Sequence, residues 1–238
     1  ARLDGDQYVL NGTKLFISNA AHAGIITLFA KTDSDKGTRG MSVFVVEGET
    51  PGLTCTRTQE VIAPHALGEL KFEDCRIPAS NLVGEVDKGF KLAMMTFDVY
   101  RTSVGACALG LAQAAYDLAI EYAKQRNSFG KPLGEHQGIQ FKIADMATEL
   151  DAARLLVYRA AWLKDQGAAR VTKEASMAKL FATEAANRIV DQSLQIHGGR
   201  GVVKGYEIER LFRQVRACRI YEGASEIQRI VIARMALS

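Results

Sequence analysis

Two different hydrophobic patterns follow one another along the chain. Up to about residue 86, short β-rich runs alternate with polar turns, whereas after it apolar and small residues recur at helical spacing. Short strands joined by polar turns are typical of an antiparallel barrel or sandwich. We therefore predict an α+β protein in which an antiparallel β-barrel-like domain at 1–86 is followed by an antiparallel four-helix bundle at 87–238.

The first part contains several predicted strands. Residues 8–18 form two β-rich halves around Asn11-Gly12, which predicts a hairpin because Asn-Gly suits a two-residue turn. Further β-rich runs lie at 25–31 and 41–46, with a turn-rich segment at 33–37 between them. A shorter alternating run at 70–72 precedes the proline at position 78.

The second part contains long predicted helices at 89–125, 136–165 and 172–197. Two of them repeat apolar or small residues at the period of helices packed nearly antiparallel in a bundle. These positions are Ile139, Ile143, Met146, Leu150, Ala153, Val157 and Ala160 in one helix, and Ala178, Ala182, Ala185, Ile189 and Ile196 in the other.

Composition and charge exclude several classes of protein. Apolar residues make up 47% and the net charge is +3, which is ordinary for a globular protein and too small to favour a nucleic acid or membrane partner. We expect no apolar run long enough to span a bilayer and no signal peptide. The four cysteines are scattered without metal-ligand spacing, so we predict reduced packing residues and no metal site. Since the chain begins with Ala, we expect a fragment or a processed chain.

A loop that turns into a helix near the C-terminus carries a candidate base. The segment is RIYEGASEIQR at 219–229, in which Gly223 marks the break and Ser225 is predicted to cap the helix by accepting a backbone N–H. Glu222 then lies on irregular backbone just before a helix start. From position alone, such a carboxylate is either directed into a cavity or is a solvated helix cap.

This string resembles the catalytic segment of the acyl-CoA dehydrogenases, Y-E-G-[TA]-[SA]-[EQ]-I-Q, whose Glu is the base. The resemblance implies that Glu222 is catalytic, that Gly223 contacts the substrate and that Ala224, Ser225 and Glu226 contact FAD. Four further segments match the family in the same order. The family's N-terminal helical domain and the start of its β domain have no counterpart in this sequence.

KLFISN at 14–19 resembles the family's K-x-[WF]-I-[ST]-N, which implies that Phe16, Ile17 and Ser18 lie against the flavin. On a strand, alternation would place Phe16 and Ser18 on one face. The residues alone indicate that Phe16 is a core side chain and Ser18 a strand-end residue.

FDVYR at 97–101 is similar to the family's helical segment along the acyl-CoA channel, which implies that Asp98, Tyr100 and Arg101 contact substrate. The residues alone allow a simple surface pair of Asp98 with Arg101. In some relatives the base occupies the position of Tyr100, so Glu222 is the matching base here. The bulk of Tyr100 predicts a narrower acyl pocket.

RNSFGKPLGEHQ at 126–137 resembles the family's R-x-x-F-G-x-x-[LI]-x-x-x-Q. It implies that Arg126, Ser128, Phe129 and Gln137 bind FAD, with Arg126 and Gln137 reaching the FAD of a neighbouring subunit. A guanidinium suits a diphosphate and an aromatic ring suits adenine. The residues alone indicate a polar turn between helices.

QIHGGRG at 195–201 resembles the family's Q-[IL]-x-G-G-x-G. The resemblance implies FAD contacts from Gln195, Ile196, His197, Gly198 and Gly199, since glycines let backbone approach a phosphate. Without it, the segment indicates a helix stop, with His197 an ordinary turn residue.

The resemblance implies FAD-dependent dehydrogenation of an acyl-CoA to a trans-2-enoyl-CoA, as in fatty acid β-oxidation. Glu222 would remove the α-proton while the β-hydrogen leaves as hydride to flavin N5, and the backbone N–H of Glu222 and a flavin ribityl hydroxyl would hold the thioester oxygen. It also implies an electron-transferring flavoprotein as acceptor, a homotetramer, and a cytoplasmic or mitochondrial matrix location.

Two alternatives keep the same fold: an acyl-CoA oxidase that uses oxygen, and a non-catalytic or DNA-binding relative. The presence of Glu222 speaks against the second. Ala224 stands where many relatives have Thr, and His65 lies in a stretch that often contains Arg in relatives. Both departures predict a less common branch of the family.

Overall fold

A computed structural model describes residues 1–237 and divides the chain into two compact units. The first unit is Ala1–Met95, and the second begins at Thr96, inside a long helix. The domain boundary that we place at residue 86 stays a prediction.

The first unit consists of seven strands in two antiparallel sheets. The strands are β1 (Arg2–Asp4), β2 (Gln7–Ser18), β3 (Ile25–Lys31), β4 (Met41–Glu47), β5 (Leu53–Gln59), β6 (Leu67–Pro78) and β7 (Leu82–Val83). One sheet has the order β1-β2-β6-β5 and the other β3-β4-β7. Alternate residues of β2, β4 and β6 form the core, which includes Leu10, Phe44, Val46, Leu70 and Ile77. The predicted α+β class with antiparallel sheets is confirmed, as two sheets rather than a closed barrel.

The hairpin predicted at Asn11-Gly12 is wrong, because β2 runs straight through both residues. The register slips between Leu10 and Gly12, where Asn11 lies opposite an extra residue of β6. The Asn11 amide donates to Asp74 Oδ1 at 3.1 Å and its oxygen accepts the Asp74 N–H at 2.9 Å. Asn11 therefore stabilises a β-bulge, and the reversal falls earlier, at Gly5 with φ +64° between β1 and β2.

The second unit is helical. Its elements are the remainder of α1 (Gly89–Gln125), a two-stranded hairpin of β8 (Asn127–Ser128) and β9 (Lys131–Pro132), α2 (Gln137–Asp165), α3 (Thr172–His197), α4 (Glu207–Ala217) and α5 (Ser225–Leu237). The three long helices confirm the predicted ranges, and α4 and α5 are two shorter helices. The predicted faces are confirmed as well: the seven positions on α2 are buried or half-buried, and the five on α3 are buried.

Helix α1 corrects the expectation that no apolar run could span a bilayer. By length and composition alone it meets the usual criterion, with a window of mean hydropathy 1.3 that is 39% buried. Alanines of α1 also form part of the helical core, including Ala108, Ala112, Ala115 and Ala119. A core helix can have the same composition, so a single such helix is weak evidence for a membrane span.

Candidate active site

The loop between α4 and α5 places Glu222 on left-handed backbone. We call residues 219–225 the Glu222 loop. Glu222 has φ +54° and Gly223 has φ +92°. A left-handed conformation is ordinary for glycine but costs a residue with a side chain roughly 1–2 kcal/mol. The Ser225 N–H closes the loop by donating to Arg219 O at 3.1 Å.

Both ends of the Glu222 loop are attached to Glu184 of α3. Arg219 donates to the two Glu184 oxygens at 2.9 and 2.8 Å, and Ser225 Oγ donates to Oε1 at 2.5 Å. The prediction that Ser225 caps α5 through a backbone N–H is wrong. Ser225 is the first helical residue, 3% exposed, and its hydroxyl bonds a charged acceptor instead.

The pKa of Glu184 reflects these contacts. Partial burial acts to raise the pKa, but hydrogen bonds from Ser225 and Arg219 favour the carboxylate more strongly, so the pKa lies below its ordinary value. Glu184 is therefore an ionised anchor for the loop.

Three buried polar side chains hold the middle of the loop through its carbonyl groups. Gln228 Nε2 donates to Glu222 O at 3.1 Å and to Gly223 O at 2.9 Å. Lys179 Nζ donates to Gly223 O at 2.8 Å, and Arg101 Nε reaches Glu222 O at 3.5 Å. Lys179 and Gln228 are 0% exposed and Arg101 is 5% exposed. The two carbonyl groups that follow the Glu222 side chain along the backbone are thus fixed by buried donors.

The reactive groups of Glu222 itself are left available. Its side chain is half-buried. Within residues 1–237, the hydrogen bonds of Glu222 go to its carbonyl oxygen, while its carboxylate and backbone N–H form none. An unoccupied carboxylate beside an unoccupied N–H can accept a proton and donate a hydrogen bond to one bound molecule.

Burial perturbs the pKa values of both cations near Glu222. Burial lowers the pKa of Lys179 to about 8, with nearby Arg101 acting in the same direction. Burial likewise lowers the pKa of Arg101, which the Asp98 and Glu222 carboxylates partly offset. Both cations also interact electrostatically with the Glu222 carboxylate, which partly offsets the effect of burial on their own pKa values.

The predicted substrate residues on α1 have different surroundings. Arg101 is buried over the Phe97 ring at 5.1 Å and reaches the Glu222 loop, so it is not in a surface pair with Asp98. Asp98 accepts from Thr172 Oγ1 at 2.8 Å, while its other oxygen is buried without a partner in the described chain. Tyr100 is 55% exposed.

The segment that the residues alone indicated as a polar turn is the β8–β9 hairpin. Phe129 and Gly130 form its turn with φ +51° and +80°. The Phe129 ring is 97% exposed, and Arg126 and Gln137 are exposed as well. The Ser128 carbonyl accepts from His136 Nε2 at 3.0 Å, which ties the hairpin to the start of α2.

Near the end of α3, only part of the predicted glycine-rich segment is accessible. Ile196 is in the core, and His197 stacks on Tyr122 with its Nδ1 2.7 Å from Ser193 O. Gln195, Gly198 and Gly199 are exposed. A Cβ added at either glycine would meet nothing within 4 Å, so this backbone is open to a ligand.

In the first unit, a second bulge interrupts the strand at the predicted flavin contacts. Phe16 has φ +57° where the register of β2 and β6 shifts, so strand alternation does not set the relative directions of Phe16 and Ser18. Phe16 is 65% exposed and Ile17 is half-buried. Ser18 Oγ lies 3.0 Å from His65 Nε2.

Sequence reasoning missed the residues that hold the Glu222 loop, namely Lys179, Glu184 and Gln228. A signal for Lys179 was available: it lies four residues after Ala175 and three before Ala182, on the buried face of α3. A lysine on such a face is unusual and indicates a specific partner. Gln228 occupies the last position of the family pattern that identifies Glu222, but that pattern assigned it no role, and Glu184 carries no comparable signal.

The accessible groups fit FAD by their chemistry. Arg126 offers donors to a diphosphate, Gln137 and Gln195 offer amides, and Phe129 offers an exposed ring. The open backbone at Gly198-Gly199 allows close approach of a phosphate oxygen. In the first unit, Phe16 and Ser18 offer a ring and a hydroxyl.

Comparisons with known proteins agree with these features. The C-terminal domain model of acyl-CoA dehydrogenase matches residues 87–237, and the middle domain model matches residues 1–75. The chain is 50% identical to mouse short-chain specific acyl-CoA dehydrogenase, covering 98% of this chain and 57% of the relative. It is 49% identical to the NADH-dependent acryloyl-CoA reductase of Anaerotignum propionicum, covering 96% and 58%.

Butyryl-CoA dehydrogenase from Megasphaera elsdenii has the same fold, with a TM-score of 0.96 and 42% identity over 100% of this chain and 62% of that one. The chain thus spans about three fifths of the length of these relatives. Because two family models match most of the chain and relatives are about 50% identical to it, the chain belongs to the acyl-CoA dehydrogenase family.

Proposed function

We propose that the protein to which this chain belongs oxidises an acyl-CoA thioester to a trans-2-enoyl-CoA, with Glu222 as the base. The observation that carries the proposal is the state of Glu222. Its backbone is held by buried donors and its loop is attached at both ends, while its carboxylate is left unbonded within the described residues.

The chain's own groups account for the proton transfer. The α-proton of a thioester is weakly acidic, so removing it requires an ionised base and stabilisation of the negative charge on the thioester oxygen. Arg101 and Lys179 are buried cations that interact electrostatically with Glu222. The free N–H of Glu222 is a suitable donor to the thioester oxygen, and Gly223 is a proposed substrate contact by resemblance.

The cofactor in this proposal is FAD, which when bound accepts the β-hydrogen as hydride. Gln195, the Gly198-Gly199 backbone and the Phe129 ring would contact FAD, and Arg126 and Gln137 would reach the FAD of a neighbouring subunit. Ser128, Ala224 and Glu226 remain proposed contacts by resemblance, as do Phe16, Ile17 and Ser18. Ile196 and His197 have buried side chains, so their proposed FAD contacts would come from the backbone.

Substrate, partners and location follow the family resemblance. Asp98 and Tyr100 are proposed to line the acyl-CoA channel. Arg101 is proposed to act through its buried contact with the Glu222 carbonyl oxygen. We also propose an electron-transferring flavoprotein as acceptor, a homotetramer, and a cytoplasmic or mitochondrial matrix location. Oxygen use is tested by comparing anaerobic turnover of a dye with peroxide release in air.

A second candidate is the reverse reaction, reduction of a 2-enoyl-CoA. The near-equal identity to an acryloyl-CoA reductase and to a short-chain acyl-CoA dehydrogenase favours testing both directions. The same residues serve both, because the base that removes the α-proton returns it in reverse. Anaerobic incubation with butyryl-CoA and, separately, with crotonyl-CoA plus NADH distinguishes the two.

Glu222→Gln in the full-length flavoprotein tests the assignment of the base. The amide cannot accept the α-proton, so flavin reduction by butyryl-CoA should fall about 10³-fold or more while FAD stays bound. Glu207→Gln, an exposed carboxylate of α4 paired with Arg210, is the matched control and should react normally. Reduction of the Glu222→Gln flavin at the native rate would refute the assignment.

A further inference from the structure

Lys179 is a buried cation whose environment lacks an ion-pair partner. Its side chain is fully buried on α3, and no carboxylate of the described residues lies within salt-bridge distance of it. Its ammonium donates to Gly223 O at 2.8 Å. A buried charge without a paired carboxylate destabilises a fold relative to an apolar side chain of similar shape. Packing alone therefore does not explain a lysine here.

Lys179 bonds a backbone segment whose conformation is strained. Glu222 and Gly223 are two consecutive residues with positive φ, and glycine is required only at the second. Strained backbone at a functional site persists when its surroundings over-determine it. Lys179 and Gln228 provide that constraint, because both donate to Gly223 O and Gln228 donates to Glu222 O as well.

The Gln228 amide is oriented by the carbonyl groups of Glu222 and Gly223. Its Nε2 is shared between Glu222 O and Gly223 O, while its Oε1 is buried without a partner in the part of the chain described. Rotating the amide would place Oε1 against two carbonyl oxygens, so the loop fixes its orientation. Leaving the buried Gln228 Oε1 without a partner lowers the stability of the fold. The Gln228 side chain is therefore retained for the hydrogen bonds that its Nε2 donates to the loop.

We propose that Lys179 is a positioning residue, whose buried ammonium works with Gln228 to fix the Glu222–Gly223 peptide carbonyls and so directs the Glu222 carboxylate at the substrate α-carbon. The proposal rests on the proposed function, because it needs Glu222 to be the base. Lys179 itself contacts neither substrate nor cofactor in this role. Its loss should slow proton abstraction without weakening acyl-CoA binding to the same degree.

Lys179→Met in the full-length flavoprotein tests this role, because methionine keeps the length and apolar stem but removes the donor. We expect flavin reduction by butyryl-CoA, measured anaerobically per bound FAD, to fall at least 10-fold, while the dissociation constant for butyryl-CoA changes less than 3-fold. Thr183→Val is the matched control and should react normally. It removes a buried hydroxyl from the same helix whose partners among residues 1–237 are Lys179 O and Leu180 O.

A spectroscopic measurement separates positioning from general destabilisation. In a butyryl-CoA analogue with sulfur in place of the β-carbon, the base can remove the α-proton but no hydride can leave. The resulting anion beside oxidised flavin gives a long-wavelength charge-transfer band. We expect Lys179→Met to lose most of this band at saturating analogue, and Thr183→Val to keep it.

Several outcomes would overturn the proposal. They are a native rate and band in Lys179→Met, a rate loss fully explained by lost FAD, and an equal loss in Thr183→Val. If Lys179→Met gives no folded flavoprotein, Gln228→Met is measured with the same expected and overturning results. Glu222→Gln is measured in parallel, so that full activity there refutes the proposed function independently of the result at Lys179.

Discussion

The Arg219 guanidinium forms a two-pronged ion pair with Glu184, with Nε 2.9 Å from Oε1 and a terminal nitrogen 2.8 Å from Oε2. This contact joins the residue that begins the Glu222 loop to the middle of α3. The same carboxylate receives the Ser225 hydroxyl at the loop's other end. The Glu184 side chain therefore fixes both ends of the loop that carries Glu222.

Glu184→Gln should weaken this attachment. The amide keeps the shape but loses the charge, so we expect the free energy of unfolding to fall by about 1–2 kcal/mol after allowing for partial exposure. Glu149→Gln is the control, because Glu149 forms a more exposed pair with Arg188 of the same helix and should cost less. Chemical denaturation at neutral pH measures both.

The pH dependence of that difference has a definite sign. The pKa of Glu184 is lowered in the folded protein, so its contribution is present above the ordinary value of 4.5 and is lost as pH falls through the folded pKa. The stability difference between native protein and Glu184→Gln should therefore shrink on acidification. A difference that grew below pH 4.5 would contradict the ionised anchor.

Gly223→Ala should damage the loop through two separate effects. A Cβ here would stand 2.7 Å from Gln228 Nε2, on backbone with φ +92°. Gly205→Ala is a control for strain alone, since Gly205 has φ +96° and a Cβ there meets nothing within 4 Å. We expect each to lose about 1 kcal/mol or more of stability from the conformation, and only Gly223→Ala to lose turnover.

Equal turnover in the two alanine variants would show that the contact with Gln228 is not important for the reaction. A thermal unfolding midpoint and the anaerobic rate of flavin reduction are measured on the same preparations. The comparison thereby separates backbone strain from displacement of the Gln228 amide.

The helices were predictable because local sequence determines them. Met146, Leu150 and Val157 repeat at the spacing that one buried helix face requires, and this spacing is unaffected by what packs against it. The Glu222 segment was also identifiable, since its loop-to-helix pattern and its family resemblance both lie within eleven residues.

The rest depends on contacts between residues distant in sequence. Asn11-Gly12 has the composition of a hairpin turn, but Asp74 on β6 satisfies the Asn11 amide and a bulge forms instead. Ser225 is a residue type typical of helix caps, but its hydroxyl instead donates to Glu184, forty-one positions earlier. In both cases a tertiary partner outcompetes the local hydrogen bond that the sequence pattern predicts.

Tyr100→Thr tests whether the tyrosine narrows the acyl pocket. Removing the ring should raise the ratio of kcat/KM for hexanoyl-CoA to that for butyryl-CoA by about 10-fold, since added methylenes contribute on the order of 1–3 kcal/mol where they fit. Tyr158→Thr on α2 is the control, because Tyr158 is similarly exposed at 62% and lies outside the proposed site. An unchanged ratio in Tyr100→Thr would remove this residue from the pocket.

The buried state of Lys179 can be tested by titration. Burial lowers its pKa to about 8 from 10.5, so the unfolded chain binds the proton more tightly between these two values. The desolvation penalty is complete below pH 8 and is relieved as pH rises towards 10.5. The neighbouring groups Arg101, Glu184, Glu222 and Cys218 are common to the native protein and to Lys179→Met, and their contributions largely cancel in the difference.

The free energy of unfolding of the native protein should therefore rise relative to Lys179→Met by up to about 3 kcal/mol between pH 8 and 10.5. Lys164→Met, at an exposed lysine near the end of α2, should show no such slope. A flat difference for Lys179→Met would mean that the ammonium is solvated in the folded protein. The Lys179 ammonium would then be hydrogen-bonded by water, and its bond to Gly223 O would no longer explain why a lysine is buried here. The proposal that Lys179 positions Glu222 would be refuted.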